Sequence, residues 1–242
     1  MMTASQSAFA IRLAACVFGI AIAFSAVAIM VSDIRTRSII DTATRLNDGA
    51  RINDAALSRL DQNRALQRAQ NSCRHLDAAI TIRKAAVDQL TQFNTPEFRD
   101  AALDSLDKAL IRVLECRPVE GRHWLSLAQT RLTTSGPTAA TLGLFEIARW
   151  TRPGESDLLI DRIVILQWLH DAGVDAVATL LSSDIAIALR HLDLLLIADL
   201  YSAARPSTRA IYRRELLLVP EERRDRIDER LPQVNADLTS LP

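Results

Sequence analysis

The feature that most constrains this chain is an uncharged stretch near its N-terminus. Residues 13–32 read LAACVFGIAIAFSAVAIMVS, twenty residues between Arg12 and Asp33 without a charged side chain. Twenty residues of α-helix span about 30 Å, which is the thickness of the hydrocarbon core of a bilayer. Because a backbone inside a bilayer must satisfy its own hydrogen bonds, the stretch is predicted to be a transmembrane helix that contacts membrane lipid.

A cleaved signal peptide is the alternative interpretation of the same stretch. Such a peptide has a shorter apolar region, which an A-x-A cleavage site follows. The stretch here has the full length of a membrane span and ends in MVSDIRTR, which contains no such site. We therefore expect an uncleaved anchor, with a short tail before it at residues 1–12 and a membrane-proximal helical linker after it at residues 33–62.

The composition of the rest of the chain favours helices. About half of the residues are apolar, only 7 are glycine and only 5% are aromatic. Such a chain is able to bury a core, and its scarcity of glycine favours an all-α fold over a β-sandwich or barrel. The 29 basic and 29 acidic side chains balance each other, so no positive field attracts a polyanion and we expect no nucleic-acid partner.

Two cysteines outside the anchor, Cys73 and Cys116, are brought to similar heights by helix periodicity. Apolar residues at spacings of three and four predict one helix over residues 63–91 and a second helix that begins at Pro96. In an antiparallel hairpin of the two helices, Cys73 lies level with residue 114, only about 3 Å along the axis from Cys116. We expect a disulfide; two buried thiols are the alternative.

The signals for topology disagree. Arg35 and Arg37 follow the anchor, and the positive-inside rule then places the large domain in the cytoplasm. A disulfide instead implies the periplasm or another oxidising space. We give the cysteines more weight, because the charge rule is only a bias and the same flank also carries Asp33 and Asp41.

A repeat pattern occupies the middle of the chain. Pro118 and Pro153 are 35 residues apart, and the unit between them reads W-L-S-L-A-x-x-R-L from Trp124 and then turns at Ser-Gly-Pro. This unit resembles the tetratricopeptide repeat, a helical hairpin of 34 residues. With one inserted residue, the matching positions are Trp124, Leu127, Ala128, Ala140, Leu144, Ala148 and Pro153. Arg131 departs from the pattern, since an aromatic residue is usual there.

The resemblance implies stacked helical hairpins that bind a partner protein. We expect a helical repeat domain over residues 63–231, and a disordered tail at residues 232–242, where the sequence is polar and lacks periodicity. The layout of residues 60–170 also resembles small membrane proteins associated with bacterial polysaccharide biosynthesis and export. That likeness implies a single-pass protein of the bacterial inner membrane with a periplasmic domain.

Motifs for catalysis, metal binding and cofactors are missing from the sequence. None of the four histidines has a second ligand at zinc spacing, and no Gly-rich phosphate loop or G-x-S-x-G motif is found. We expect no catalytic residue, no metal and no cofactor. Arg131, Arg149 and Arg162 are candidates to pair with a partner's carboxylates in a repeat groove. The alternative is that they are solvated surface arginines.

Three functions are consistent with these patterns. The first is a membrane-anchored scaffold or adaptor that recruits one or more unidentified proteins. The second is an accessory or assembly subunit of a larger membrane complex, in which the many small residues of the anchor allow close helix packing. The third is an enzyme with a dispersed site, which predicts a deep polar pocket in the helical domain.

Overall fold

The computed structural model describes residues 4–57, 59–92 and 96–230, and these residues form twelve α-helices, two short 3₁₀ segments and no strand. The all-α fold is thereby confirmed for this part of the chain. The helices of the N-terminal part are α1 (Ala4–Asn47), α2 (Asp54–Leu57), α3 (Arg64–Gln70), α4 (Leu76–Gln92) and α5 (Pro96–Cys116). Those that follow are α6 (Gly121–Ser135), α7 (Ala139–Thr151), α8 (Ser156–Asp171), α9 (Ala178–His191), α10 (Leu194–Ala203), α11 (Pro206–Leu216) and α12 (Glu221–Arg230).

The chain forms two compact units, Met1–Arg112 and Val113–Pro242, and the boundary lies within α5. Helix α1 already begins at Ala4, inside the segment expected to be a short tail. The tail expected at residues 232–242 lies outside the described residues.

The stretch of α1 from Val17 to Val31 is apolar and exposed on all sides. Every residue from Val17 to Val31 is exposed, and the exposed fractions of Phe18 and Phe24 reach 69% and 75%. No single helix among the described residues has the length and apolarity of a membrane span. The segments Val17–Val31 and Thr36–Asn47, which are bent by 47° relative to each other, meet these criteria of length and composition only as a pair.

The second half of α1 belongs to the core of the first unit. Ile39 and Ala43 lie one turn apart, are at most 5% exposed, and pack with α3 and α4. The buried members of this cluster are Ile39, Ala43, Ile52, Leu66, Ala69, Ala79, Ile82 and Ala86. Residues from the segment expected as a linker, 33–62, therefore supply core side chains.

A buried glutamine holds the segment that follows α1. Gln89 on α4 accepts a hydrogen bond at Oε1 from the backbone N–H of Ile52 (3.1 Å) and donates from Nε2 to the Ile52 carbonyl (2.8 Å). Ile52 has left the helix and is buried, so its backbone groups need partners from elsewhere in the chain. The side chain of Gln89 supplies both.

The single helix expected over residues 63–91 is two helices in the structure. Residues 71–75, which read NSCRH, form a turn between α3 and α4. Asparagine and serine favour such breaks because their side chains compete for backbone hydrogen bonds. Cys73 therefore lies in an exposed turn and not on a buried helical seam.

Cys73 and Cys116 nevertheless form the expected disulfide. The bond ties the turn before α4 to the last residue of α5. The predicted pairing of the two cysteines is therefore confirmed. The predicted helical environment of Cys73 is wrong. The disulfide closes a loop from residue 73 to residue 116, which restricts the unfolded chain.

Replacing both Cys73 and Cys116 by serine is predicted to lower the free energy of unfolding by about 4 kcal/mol, the amount expected from closing a loop of this length. Urea unfolding of the full chain in a nonionic detergent, followed by circular dichroism, measures the change. Cys16→Ser is the control and leaves the stability unchanged. Equal stability of the double variant and the wild type would mean that the bond does not stabilise the fold.

The second unit is a series of packed helices. α6 packs along α7, α8 packs along α9, and α11 contacts both α9 and α8. The helices α6, α8 and α10 begin at Gly121, Ser156 and Leu194, which are 35 and 38 residues apart. α10 also contacts α8, so α8 has neighbours on several sides.

Local sequence sets the ends of these helices. Thr138 and Asp193 are the N-caps of α7 and α10, because their side chains accept hydrogen bonds from the backbone N–H groups of Thr141 and Leu195. Gly136, which ends α6, has a φ of 74°, a conformation that favours glycine. These residues set the end of α6 and the starts of α7 and α10. The candidate site is built on α8 and α10.

Candidate functional site

An open groove of about 660 Å³ lies between α8 and α10. Along α8 its lining residues recur at helical spacing, at positions 160, 164, 168 and 171. Along α10 they recur at positions 196, 199, 200 and 203. Two helical stripes therefore face a shared channel, within one compact unit.

Three large apolar side chains are exposed in this groove. Trp168 is 64% exposed, Val164 is 51% exposed and Leu196 is 37% exposed. The opposite side of α8 is buried, with Ile163 and Leu166 fully inaccessible. A tryptophan that stays exposed beside other apolar side chains is typical of protein interaction sites, where aromatic residues act as anchors.

The floor of the groove is held by a buried polar network. The side chain of Gln167 donates from Nε2 to the hydroxyl of Tyr212 (2.9 Å) and lies 3.4 Å from the carbonyl of Leu200. Burial raises the pKa of Tyr212 well above its ordinary value, outweighing the opposite effect of the hydrogen bond from Gln167, so the phenol stays neutral. Tyr212 also packs edge to face against Tyr201, with ring centroids 5.6 Å apart.

A cluster of hydroxyl, imidazole and carboxylate groups closes one end of the groove. Asp171 accepts at Oδ1 from the hydroxyls of Thr208 (2.8 Å) and Ser207 (3.0 Å). The Nδ1 atom of His170 lies 3.1 Å from Oγ1 of Thr208. Because the hydroxyl of Thr208 donates its one hydrogen bond to Asp171, its oxygen accepts a hydrogen bond from Nδ1–H of His170.

This cluster has the residue types of a nucleophilic triad but not its arrangement. A catalytic hydroxyl directs its proton to the imidazole and faces the substrate. Thr208 is completely buried and directs its proton to a carboxylate instead. We interpret the cluster as a latch that joins the end of α8 to the start of α11.

The structure corrects the expectation for Arg162. Its side chain is fully buried, and it makes a bidentate ion pair with Asp184 on α9, with Nε–Oδ2 and Nη2–Oδ1 distances of 2.9 Å and 3.1 Å. A partner protein cannot reach this guanidinium. The planar fork of an arginine side chain matches a carboxylate in this geometry, which makes Arg162 a core residue.

The other two candidate arginines remain accessible but lie outside the groove. Arg131 on α6 and Arg149 on α7 are both half-buried, and neither lines the α8–α10 channel. The guanidinium of Arg149 lies 5.9 Å from the ring centroid of Trp150, which is 78% exposed. Their role in binding a partner stays a prediction.

Sequence reasoning missed Trp168 and Val164. The sequence of helix α8 is apolar nearly all round, which predicts cover on several sides but does not show which side stays open. The sequence signal for an exposed face is the apolar stripe at positions 160, 164 and 168. This stripe adds apolar residues beyond those that one packed face of the helix requires. Neighbouring helices cover the other faces and leave this stripe open.

Metal and cofactor chemistry has no evident centre in the part of the chain that the structure describes. There, no group of three or more histidine, cysteine, aspartate or glutamate side chains has the arrangement of a metal site.

Comparison with models of protein families, with curated proteins and with solved structures finds no match for this chain. Its function is therefore inferred from its own residues.

Replacing Arg162 by methionine is predicted to lower the free energy of unfolding by about 3–5 kcal/mol, because the carboxylate of Asp184 is then buried without a partner. The double variant Arg162→Met/Asp184→Leu recovers most of this loss, since neither charge remains in the core. Urea unfolding measures both effects. Arg149→Met is the control and costs at most about 1 kcal/mol; an equally small loss in Arg162→Met would contradict the assignment of the ion pair.

Proposed function

We propose that the chain is a membrane-anchored helical adaptor, held in a bilayer by the first half of α1 and able to bind a partner protein through the α8–α10 groove. The observation that carries the proposal is the exposure of every side chain from Val17 to Val31. Removing one large apolar side chain from water is worth about 1.5–3 kcal/mol. A stretch of this kind in water is strongly unfavourable, and lipid removes that cost.

The length and conformation of the segment support this role. Residues 13–32 are helical throughout in the structure, as a spanning segment must be. Their apolar character is not confined to one face, so the segment does not have the amphipathic form of a helix lying on a membrane surface. Thr36 is the first residue after this segment whose side chain the structure describes as buried.

The organisation of the second unit supports a tetratricopeptide-like scaffold. The spacings of 35 and 38 residues between Gly121, Ser156 and Leu194 are close to the 34 residues of that repeat. Leu127 and Ala128 occupy the expected packing positions on α6, with at most 3% of their surface exposed. Hairpin stacking of this type builds an extended binding surface.

Burial also refines the repeat alignment. Ala140, which was expected to match the repeat, is exposed. Thr141 and Phe145 are at most 2% exposed and are four residues apart, the same spacing as between Ala140 and Leu144. The inserted residue therefore falls in the turn before α7, and an aromatic side chain takes the position that Leu144 was expected to fill. This register favours the repeat interpretation, because the pattern has a small residue and then phenylalanine at that spacing.

The disulfide supports a location outside the cytosol, since disulfides are rare in that reducing compartment. We accordingly propose a single-pass protein of a bacterial inner membrane with a periplasmic domain. That its partners belong to cell-envelope polysaccharide biosynthesis or export rests on the layout of residues 60–170 alone.

An enzyme with a dispersed site is less well supported than an adaptor. It requires a deep polar pocket with several converging ionisable groups. The α8–α10 groove is open, and its walls are mainly apolar.

An accessory subunit of a larger complex differs from an adaptor because it needs its own anchor. Exchanging residues 1–34 for an unrelated membrane helix separates the two functions. An adaptor keeps its function after the exchange, and an accessory subunit loses it.

The full chain is expected to stay in the membrane pellet after extraction with alkaline carbonate. Replacing both Ile22 and Val27 by arginine is expected to release it, because each charge in the middle of a span costs about 2.5–3.5 kcal/mol for insertion. Ile40→Arg, at an exposed apolar position beyond the span, is the control and leaves the chain in the pellet. Release of the unaltered chain, or a mature N-terminus beyond residue 32, would contradict the anchor.

A photoreactive benzoylphenylalanine in place of Trp168 is expected to cross-link to a partner protein in living cells. The same residue in place of Trp150, which is even more exposed but lies on α7 outside the groove, is the matched control and is expected to give no such adduct. Leu196→Glu introduced beside the probe should remove the adduct, because a carboxylate then enters the apolar channel. Absence of an adduct at position 168, or the same adduct at both positions, would contradict binding in the groove.

A further inference from the structure

Acidic side chains lie in and beside the apolar channel between α8 and α10. On α8, Asp157 and Asp161 continue the stripe of Val164 and Trp168 towards the N-terminus, at spacings of four, three and four residues, and all four side chains are exposed. On α10, Asp199 lies in the lining and is exposed as well. Asp199 therefore stands in the groove, whereas Asp157 and Asp161 lie on α8 beside its lined stretch, which begins at Ile160.

The structure pairs none of these three carboxylates with a basic side chain in the residues that it describes. Within residues 4–57, 59–92 and 96–230, none of Asp157, Asp161 and Asp199 takes part in a side-chain hydrogen bond or an ion pair. Asp171 adds a fourth carboxylate at one end, and Arg205 is the basic residue of the lining. The charge of the groove is therefore negative.

The arrangement on α8 carries a small energetic cost. Asp157 and Asp161 are four residues apart on a helix, where side chains of like charge repel each other by about 0.2–0.5 kcal/mol. Elsewhere the chain pairs such groups: Asp104 is bonded to Lys108 at 2.6 Å, also at a spacing of four. A cationic partner would turn the repulsion at Asp157 and Asp161 into attraction.

We propose that the groove binds a basic amphipathic helix of a partner protein, with apolar side chains on one face and lysine or arginine on its flanks. The apolar face would cover Trp168, Val164 and Leu196, and the basic flanks would pair with the carboxylates in and beside the groove. The lined stretch of α8, from Ile160 to Ala172, is about 18 Å long, which corresponds to about three turns of a docked helix. Docking of an amphipathic helix into an apolar groove is an established mode of peptide recognition.

The inference names the class of partner for the proposed adaptor and rests on that function only in assigning a biological role. The charge preference of the groove is a property of these residues and is measured separately. Charge complementarity of this kind contributes mainly to specificity and association rate, so it predicts discrimination between partners of opposite charge.

The test uses two fluorescein-labelled helical peptides of about four turns, which share a leucine face and differ only in carrying lysine or glutamate on the other faces. Their affinities for the full chain in a nonionic detergent are measured by fluorescence anisotropy, with detergent alone as the blank. We expect the lysine peptide to bind at least about tenfold more tightly, equivalent to about 1.4 kcal/mol, and the difference to shrink as salt screens the exposed charges.

Three variants locate the interaction. Asp161→Lys/Asp199→Lys should reverse the order of the two peptides, because these two positions then carry the opposite charge. Trp168→Ala should weaken both peptides, since both share the leucine face. Glu146→Lys, an exposed acidic position on α7 outside the groove, is the matched control and should change neither.

Each outcome decides between the proposals. Equal affinities for the two peptides, or an order that Asp161→Lys/Asp199→Lys leaves unchanged, would overturn the basic-helix inference even if a protein cross-links at position 168 in cells. A preference for the lysine peptide, together with weaker binding of both peptides by Trp168→Ala, would support the inference even if no cellular adduct forms, and the proposed adaptor function alone would then fail. Binding that Trp168→Ala does not weaken would place the peptide elsewhere and overturn the inference.

Discussion

The ion pair between Arg162 and Asp184 fixes α8 against α9, and the candidate groove depends on that placement. Both side chains are inaccessible to solvent, and both guanidinium–carboxylate contacts are short. Desolvating two charges is costly, so the pair is favourable only in this one bidentate geometry. It therefore acts as a constraint on the rotation of α8 about its own axis. With that rotation set, Trp168 faces solvent and Gln167 reaches the hydroxyl of Tyr212.

Two of the exposed apolar surfaces in the described residues differ in their surroundings. The first, residues 17–31, is exposed around the whole helix, and no polar residue interrupts it except Ser25, whose hydroxyl donates to the carbonyl of Ala21. The second, in the α8–α10 groove, is a narrow stripe with carboxylates in and beside it. The two surfaces therefore suit different surroundings. A helix that is apolar on all sides suits lipid, whereas an apolar stripe with carboxylates at its edges suits a single ligand that binds in one register.

The sequence allowed prediction of features that local pattern decides, and failed where distant residues decide. Helicity of residues 13–32 and pairing of Cys73 with Cys116 followed from apolarity and spacing. The environment of Cys73 did not, because a short Asn-Ser turn interrupts a seam whose periodicity continues on either side. Arg162 was assigned to the surface because isolated arginines usually are exposed; its partner, Asp184, is 22 residues away and no local pattern links the two. Trp168 was missed because an all-round apolar helix does not show which face its neighbours leave uncovered.

The disulfide links stability to location in a way that bears on the conflict between the two topology signals. A natural domain has a net stability of only about 5–15 kcal/mol, so a cross-link worth several kcal/mol is a large fraction of the total. That contribution is available only in an oxidising compartment. Thr36, five residues after Val31, is the first buried residue among those whose side chains the structure describes, so in the proposed anchored protein the first unit starts close to the bilayer surface. A domain held there on the reducing side would lose the contribution of its cross-link. An unfavourable placement of Arg35 and Arg37 costs less, since each exposed charge at a membrane flank is worth only about 1 kcal/mol. The energetic asymmetry favours the oxidising side.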